Sequence, residues 1–181
     1  MKHAIAIGFV MMAAATCGGG SGGGIGGTGP ITQAQADQIC MDVCAKEVEC
    51  GSETDVESCI PTCADDFVGW ARADAVQTLA SCFIAAPCGT GDDECLASIQ
   101  PLPIHEEWEA GCRSELAACL DQTDIDAACE VSPDPGDNDI GFFRFIAAPI
   151  MEEIIDCLAA PDCTARLDCI QGVLEVNGIN F

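Results

Sequence analysis

The sequence predicts an all-α fold: two tandem disulfide-stapled helical hairpin modules that follow a signal peptide and a Gly-rich tether. Three observations carry this expectation. Two C-x3-C pairs, Cys40/Cys44 and Cys59/Cys63, stand on either side of Cys50. The cysteines of the second half repeat the spacing of those in the first. No stretch shows the sustained apolar/polar alternation that a half-buried strand needs.

In chain order, residues 1–16 combine Lys2 and His3, a short apolar run and small residues before Cys17, which together form an export signal. The run is too short to span a bilayer as a mature helix. Residues 17–31 are dominated by glycine, which brings no apolar surface and loses much backbone entropy on ordering. They form a tether with a random-coil reach of about 20 Å. Module 1 covers 32–100 and module 2 covers 101–181, with Pro101-Leu102-Pro103 at the boundary because two prolines discourage a continuous helix.

In module 1 a helix over 32–49 carries Ala36, Ile39 and Val43 at helical spacing, with Thr32 as its cap. Thr54 and Glu57 form a capping box for a second helix, which Pro61 bends or restarts. A long third helix over 64–84 places Phe67, Trp70, Val76, Leu79 and Phe83 largely on one stripe, and Gly89-Thr90-Gly91 ends it. A short helix follows near Cys95, with Asp92, Asp93 and Glu94 in its first turn, where the helix dipole favours acids. Module 2 runs in the same order, with helices over 104–120, 124–130, 141–159 and 165–175 and a kink near Ala147 caused by Pro149. Trp70, Trp108, Phe142, Phe143 and Phe145 are core candidates.

Residues four apart on a helix share a face, so each C-x3-C presents two sulfurs along one stripe. Antiparallel packing of two such helices bridges Cys40 to Cys63 and Cys44 to Cys59. Cys44, Cys50, Cys59, Cys82, Cys88 and Cys95 align with Cys112, Cys119, Cys129, Cys157, Cys163 and Cys169 at offsets of 68, 69, 70, 75, 75 and 74. Such slow drift marks a tandem duplication with loop insertions. Cys40 and Cys63 fall on Trp108 and Pro133, so both are missing from the second copy, as a bonded pair lost as a unit would be. By analogy Cys112 pairs with Cys129. The four remaining cysteines per copy allow three connectivities. The preferred one joins Cys82 to Cys95 and Cys50 to Cys88, and likewise Cys157 to Cys169 and Cys119 to Cys163.

Charge and motif content narrow the function. The 30 acids against 6 Lys plus Arg give a net charge of -24, which repels nucleic-acid phosphates and anionic lipid headgroups. A nucleic-acid role is set aside. Structural zinc sites favour C-x2-C knuckles or paired histidines, and thioredoxin-like redox centres need C-x-x-C; the chain has neither. After export only His105 remains among the histidines, in His105-Glu106-Glu107-Trp108-Glu109, which is not H-E-x-x-H. It reads as a half-exposed side chain on the polar face of a helix. The adjacent pairs Asp65/Asp66 and Glu152/Glu153 read as solvated faces. Asp134, Asp137 and Asp139 are weak calcium candidates, since carboxylates are hard oxygen ligands, but the EF-hand pattern fails at Gly141. No catalytic residue and no cofactor are assigned.

The N-terminal signal followed by Cys17 resembles a bacterial lipoprotein signal, although Ala14 and Thr16 stand where that family shows Leu and Gly or Ala. The resemblance covers about the first thirty residues and implies cleavage before Cys17 and lipid on its sulfur. Ordinary cleavage after Ala15 is the alternative, since Ala13-Ala14-Ala15 fits A-x-A. Parity favours the lipid: of fifteen cysteines, removing Cys17 leaves an even number that can all pair. The C-x3-C hairpin at 40–63 also resembles that of small chaperones of the mitochondrial intermembrane space. The expectation is a non-catalytic lipoprotein of the bacterial envelope, in the outer membrane or at the cell surface. It is held to the membrane through Cys17, with a binding or structural role toward a protein partner. A secreted enzyme of unrecognised type and a calcium-dependent acidic module are the alternatives.

Overall fold

A computed structural model describes residues 27–90, 92–121, 124, 125, 129 and 142–179. Residues 1–26 therefore lie outside the described residues, and with them the export signal, Cys17 and most of the tether. So do Asp134, Asp137 and Asp139, the side chains of Asp92, Asp93 and Phe142, and much of the helix expected over 124–130, of which Asp124, Ile125 and Cys129 are helical.

Among the described residues the architecture is all helical. The helices are α1 (Gln33–Cys50), α2 (Val56–Asp65), α3 (Ala73–Ala85), α4 (Asp92–Ala97), α5 (Pro103–Glu115), α6 (Ala148–Cys157) and α7 (Cys163–Val176), with a 3-10 turn at Phe142–Phe145. In the first half α1 packs on α2 and α3, and α4 returns onto α3; in the second, α6 packs on α5 and α7.

Local chemistry sets most boundaries. Thr32 caps α1 in a closed box with Gln35, and Gly51 ends it at φ 78°, a left-handed conformation that glycine adopts without strain. Helix α2 is capped by Asp55, which accepts from Ser58 N at 2.9 Å, rather than by the expected Thr54/Glu57 box. Asp55 wins because its carboxylate also takes the Ser58 hydroxyl at 2.6 Å. Pro61 neither breaks nor restarts α2, which runs through it. Disulfides at Cys59 and Cys63, on either side of the proline, hold both of its neighbouring turns against α1.

Seven disulfides tie these elements: Cys40–Cys63, Cys44–Cys59, Cys50–Cys88, Cys82–Cys95, Cys112–Cys129, Cys119–Cys163 and Cys157–Cys169, with Cα separations of 5.3–5.8 Å. These are the seven pairs set out above, and none crosses from one half to the other. A bridge closing about 15 residues contributes roughly 3 kcal/mol in the chain-entropy account.

The halves meet where helices were expected to continue. The long helix over 64–84 is in fact broken: α2 ends at Asp65, the chain turns through Gly69 at φ 87°, and α3 starts at Ala73. The helix over 141–159 is likewise broken at Ile146–Ala147, so that Pro149 falls in the first turn of α6, where its missing N–H costs nothing. Helix α5 also stops early, at Glu115 instead of 120.

Freed from helix, Ala71 bridges antiparallel to Ile146. Arg72 N donates to Phe145 O at 2.7 Å and Ala147 N donates to Trp70 O at 2.9 Å. At the offset of 75 the equivalents of Trp70, Ala71 and Arg72 are Phe145, Ile146 and Ala147, so the two bonds exchange when the halves are exchanged. The duplicated halves thus join about a local two-fold axis. On the outer side of Ala71 lies the end of the Gly-rich stretch: Ile31 N donates to Ala71 O at 2.7 Å and Ala148 N donates to Thr28 O at 3.0 Å. Residues 27–31 are pinned chain, with Ile31 fully buried.

Trp108, which stands where Cys40 stands in the first half, is buried and packs on Phe143 with ring centroids 5.0 Å apart. An indole fills the place that a disulfide occupies in the other copy. Truncating it leaves a cavity with no cross-link to limit the damage, so Trp108→Ala is expected to lower stability by about 3–5 kcal/mol. Denaturant unfolding of the oxidised protein measures this; a change under about 1 kcal/mol would show that the second half does not lean on that ring.

Candidate functional site

Two places in the fold gather buried polar groups. The first is the joint between the halves. His105 is fully buried, not half-exposed as its sequence context suggested. Its Nδ1 accepts from Leu102 N at 2.8 Å, which requires the proton on Nε2, and Nε2–H donates to Ile146 O at 3.1 Å. That bond is the counterpart of Ile31 N on Ala71 O, so an imidazole in one half does the work of a backbone amide in the other.

Two arginines complete the joint. Arg144 Nη1 donates to Leu96 O and Ile99 O at 3.2 and 3.1 Å, and Arg72 Nη2 donates to Gln100 O at 2.8 Å. Both satisfy carbonyls at the end of α4 and just beyond, where a cation also meets the negative end of the helix dipole. Arg72 is further held by Asp74 through Nε–Oδ1 at 2.8 Å and Nη2–Oδ2 at 2.9 Å. Both ring nitrogens of His105 are engaged by backbone, while Arg72 Nη1 is buried in the joint without a hydrogen-bond partner among the described residues.

The second place is a groove of about 640 Å³ between α1, α2 and α3. Ile39 and Val43 of α1 and Leu79 and Phe83 of α3 form its apolar walls, with Phe67 at one end. Glu47, Glu53 and Asp66 supply carboxylates. A volume in this range with mostly apolar walls and few polar groups is typical of small-molecule sites.

Glu47 is the informative member. It is only 7% exposed, and its Oε2 lies 3.3 Å from the Sγ of Cys59. A half-cystine sulfur carries no proton, so a hydrogen bond exists there only when Glu47 supplies it. Burial first, and the charge of Glu53 second, push the Glu47 carboxyl above its ordinary range. Asp65 and Asp66 both lie exposed, as their sequence suggested, although desolvation first and the charge of Asp65 second raise the Asp66 carboxyl. The side chains of Cys44, Glu47 and Cys59 lie close enough to suggest a metal cluster. Both sulfurs are spent on the Cys44–Cys59 bond, so the oxidised protein has no thiolate to offer there.

Of the residues weighed from sequence, Glu152 and Glu153 lie exposed on α6. Trp108 and Phe145 are core, while Trp70 and Phe143 are half-buried. Glu47 was missed because a lone carboxylate on a helix looks solvated. The available signal was Cys44-x-x-Glu47 recurring as Cys112-x-x-Glu115. The chain matches no protein-family model, no curated protein and no solved structure.

Burial, the largest cause, lowers the His105 pKa from 6.5 to about 4, with Arg72 and Arg144 adding to it against the bond to Ile146 O. The unfolded chain therefore binds a proton near pH 6.5 that the folded chain refuses until about pH 4. Stability from the neutral imidazole is complete above pH 6.5 and is lost as pH falls through that window. From 6.5 down to about 4, at about 1.4 kcal/mol per decade, it amounts to roughly 3–3.5 kcal/mol. Comparing urea midpoints of wild type and His105→Gln at pH 7 and pH 4.5 tests this. The gap between the two proteins should narrow at the lower pH, and a gap of constant size would refute the assignment.

Proposed function

We propose that the chain is an exported lipoprotein: residues 1–16 are removed, Cys17 carries lipid, and the folded part is a non-catalytic binding module displayed at the cell envelope on a short tether. The observation that carries this reading is the sulfur ledger. Seven bonds account for fourteen cysteines and require an oxidising compartment, which leaves Cys17 as the odd one. The sequence before Cys17 is an export signal, and an exported odd cysteine next to a glycine run is well explained by acylation.

Several features support a binding role over catalysis. His105 is consumed by backbone carbonyl and amide, and the described lining of the groove contains no histidine and no cysteine outside a disulfide. Among the described residues no helix is long and apolar enough to cross a membrane, so attachment falls to the lipid.

Intact mass spectrometry of the protein extracted from membranes without reductant tests the reading. The expected mass begins at Cys17, includes acyl chains, and lies fourteen hydrogens below the fully reduced value. Cys17→Ser should move the protein from the membrane fraction to the soluble exported fraction. A mature chain beginning at Thr16 without acyl mass would overturn the lipoprotein assignment.

A further inference from the structure

We propose that the groove between α1, α2 and α3 binds a small amphipathic cation, a protonated amine on an apolar body. Its nitrogen sits on Glu47, and its body lies along Val43, Phe67, Leu79 and Phe83. The inference rests on the reading of the folded part as a binding module and names the chemistry of its ligand.

The argument comes from comparing the duplicated halves at the same position. Glu47 and Glu115 each follow their aligned cysteine, Cys44 or Cys112, by three residues. In the second half the carboxylate is answered from within the chain: Arg166 Nη2 lies 3.1 Å from Glu115 Oε2. The same guanidinium also donates through Nη1 to Glu115 O at 2.6 Å. In the first half no Lys or Arg among the described residues reaches Glu47. Lys46, its neighbour, turns to Glu49 at 3.7 Å, and the contact that Glu47 makes is with a sulfur that cannot donate. One copy carries its own cation, and the other holds a buried carboxyl facing a groove with none.

The walls differ in the same sense. Val43 and Phe83 align with Gly111 and Leu158. In the second half Leu158 Cδ1 comes so near Gly111 that an added Cβ would stand 3.0 Å from it, and glycine is what permits that approach. Val43 and Phe83 line the groove of the first half, whereas at their counterparts Gly111 and Leu158 the helices come into direct contact. Apolar walls of this length, a buried acid at one side and a second acid, Glu53, exposed at the rim select a ligand with one positive end and an oily remainder. An anion meets repulsion from Glu47, Glu53 and Asp66, and a neutral hydrocarbon leaves Glu47 unanswered.

The test uses the full chain with Cys17→Ser, exported into a bacterial periplasm and recovered without detergent, so that its outcome does not depend on acylation. Titration calorimetry compares 4-phenylbutylamine with its neutral and anionic counterparts, 4-phenylbutan-1-ol and 4-phenylbutyrate. Saturable binding of one amine per chain is expected, at least about tenfold tighter than the alcohol, with no measurable uptake of the acid. Glu47→Gln should bring the amine to within about threefold of the alcohol, the remainder coming from the acids at the rim. Glu53→Gln, a change at an exposed rim position that leaves packing alone, should weaken the amine about two- to threefold. Thermal unfolding checks that Glu47→Gln is folded, and if it is not, the alcohol comparison and Glu53→Gln decide. Absence of saturable amine binding, equal binding of the alcohol, or an amine preference that stays about tenfold in Glu47→Gln would overturn the proposal. A failure here leaves the mass of Cys17 untouched, so the two readings fall separately.

Discussion

The fold rests on covalent sulfur ties between neighbouring helices. With aromatics at 5% of the chain and no tyrosine, the interior is built largely from alanine, isoleucine and half-cystine. Small side chains bury little area each, and a net charge of -24 pushes the chain apart. Cross-links offset both by confining the unfolded ensemble. They also explain local oddities, such as a proline inside α2 held between two bridged cysteines.

The second principle is duplication with divergence. The two halves keep three equivalent bridges each and join through backbone bonds that exchange under a local two-fold axis. Around that shared frame, pairs of positions have taken different solutions to one physical need. The carbonyl at Ala71 is met by a backbone amide and that at Ile146 by His105. The space of the Cys40–Cys63 bridge is taken by Trp108, and the acid three residues after the aligned cysteine is answered by Arg166 in one half alone.

Much of the helical content could be read from the chain because cysteine spacing reports which helix faces touch, and a repeat doubles every such constraint. What escaped reading was non-local. Residues 66–72 have a helical apolar pattern, and they leave helix because Ala71 finds a partner at Ile146, a pairing that no window around either residue contains. His105 looked polar-faced because three of its four followers are acids, yet the carbonyl that draws it inward belongs to a segment 41 residues away. The groove was illegible for the same reason, since Glu47 differs from any surface acid only by what α2 and α3 place over it.

If the chain is held at its N-terminal end, as proposed, the pinned segment at 27–31 has a mechanical meaning. A pull on that end meets first the bond between Gly27 O and Asp74 N, then those of Thr28 and Gly29 to Ala148 and Ala73 and of Ile31 to Ala71, at the seam between the halves. Peeling those contacts frees chain only as far as Cys40, where the bond to Cys63 blocks further extension. Such a pull would be absorbed at the seam before any helix is stretched.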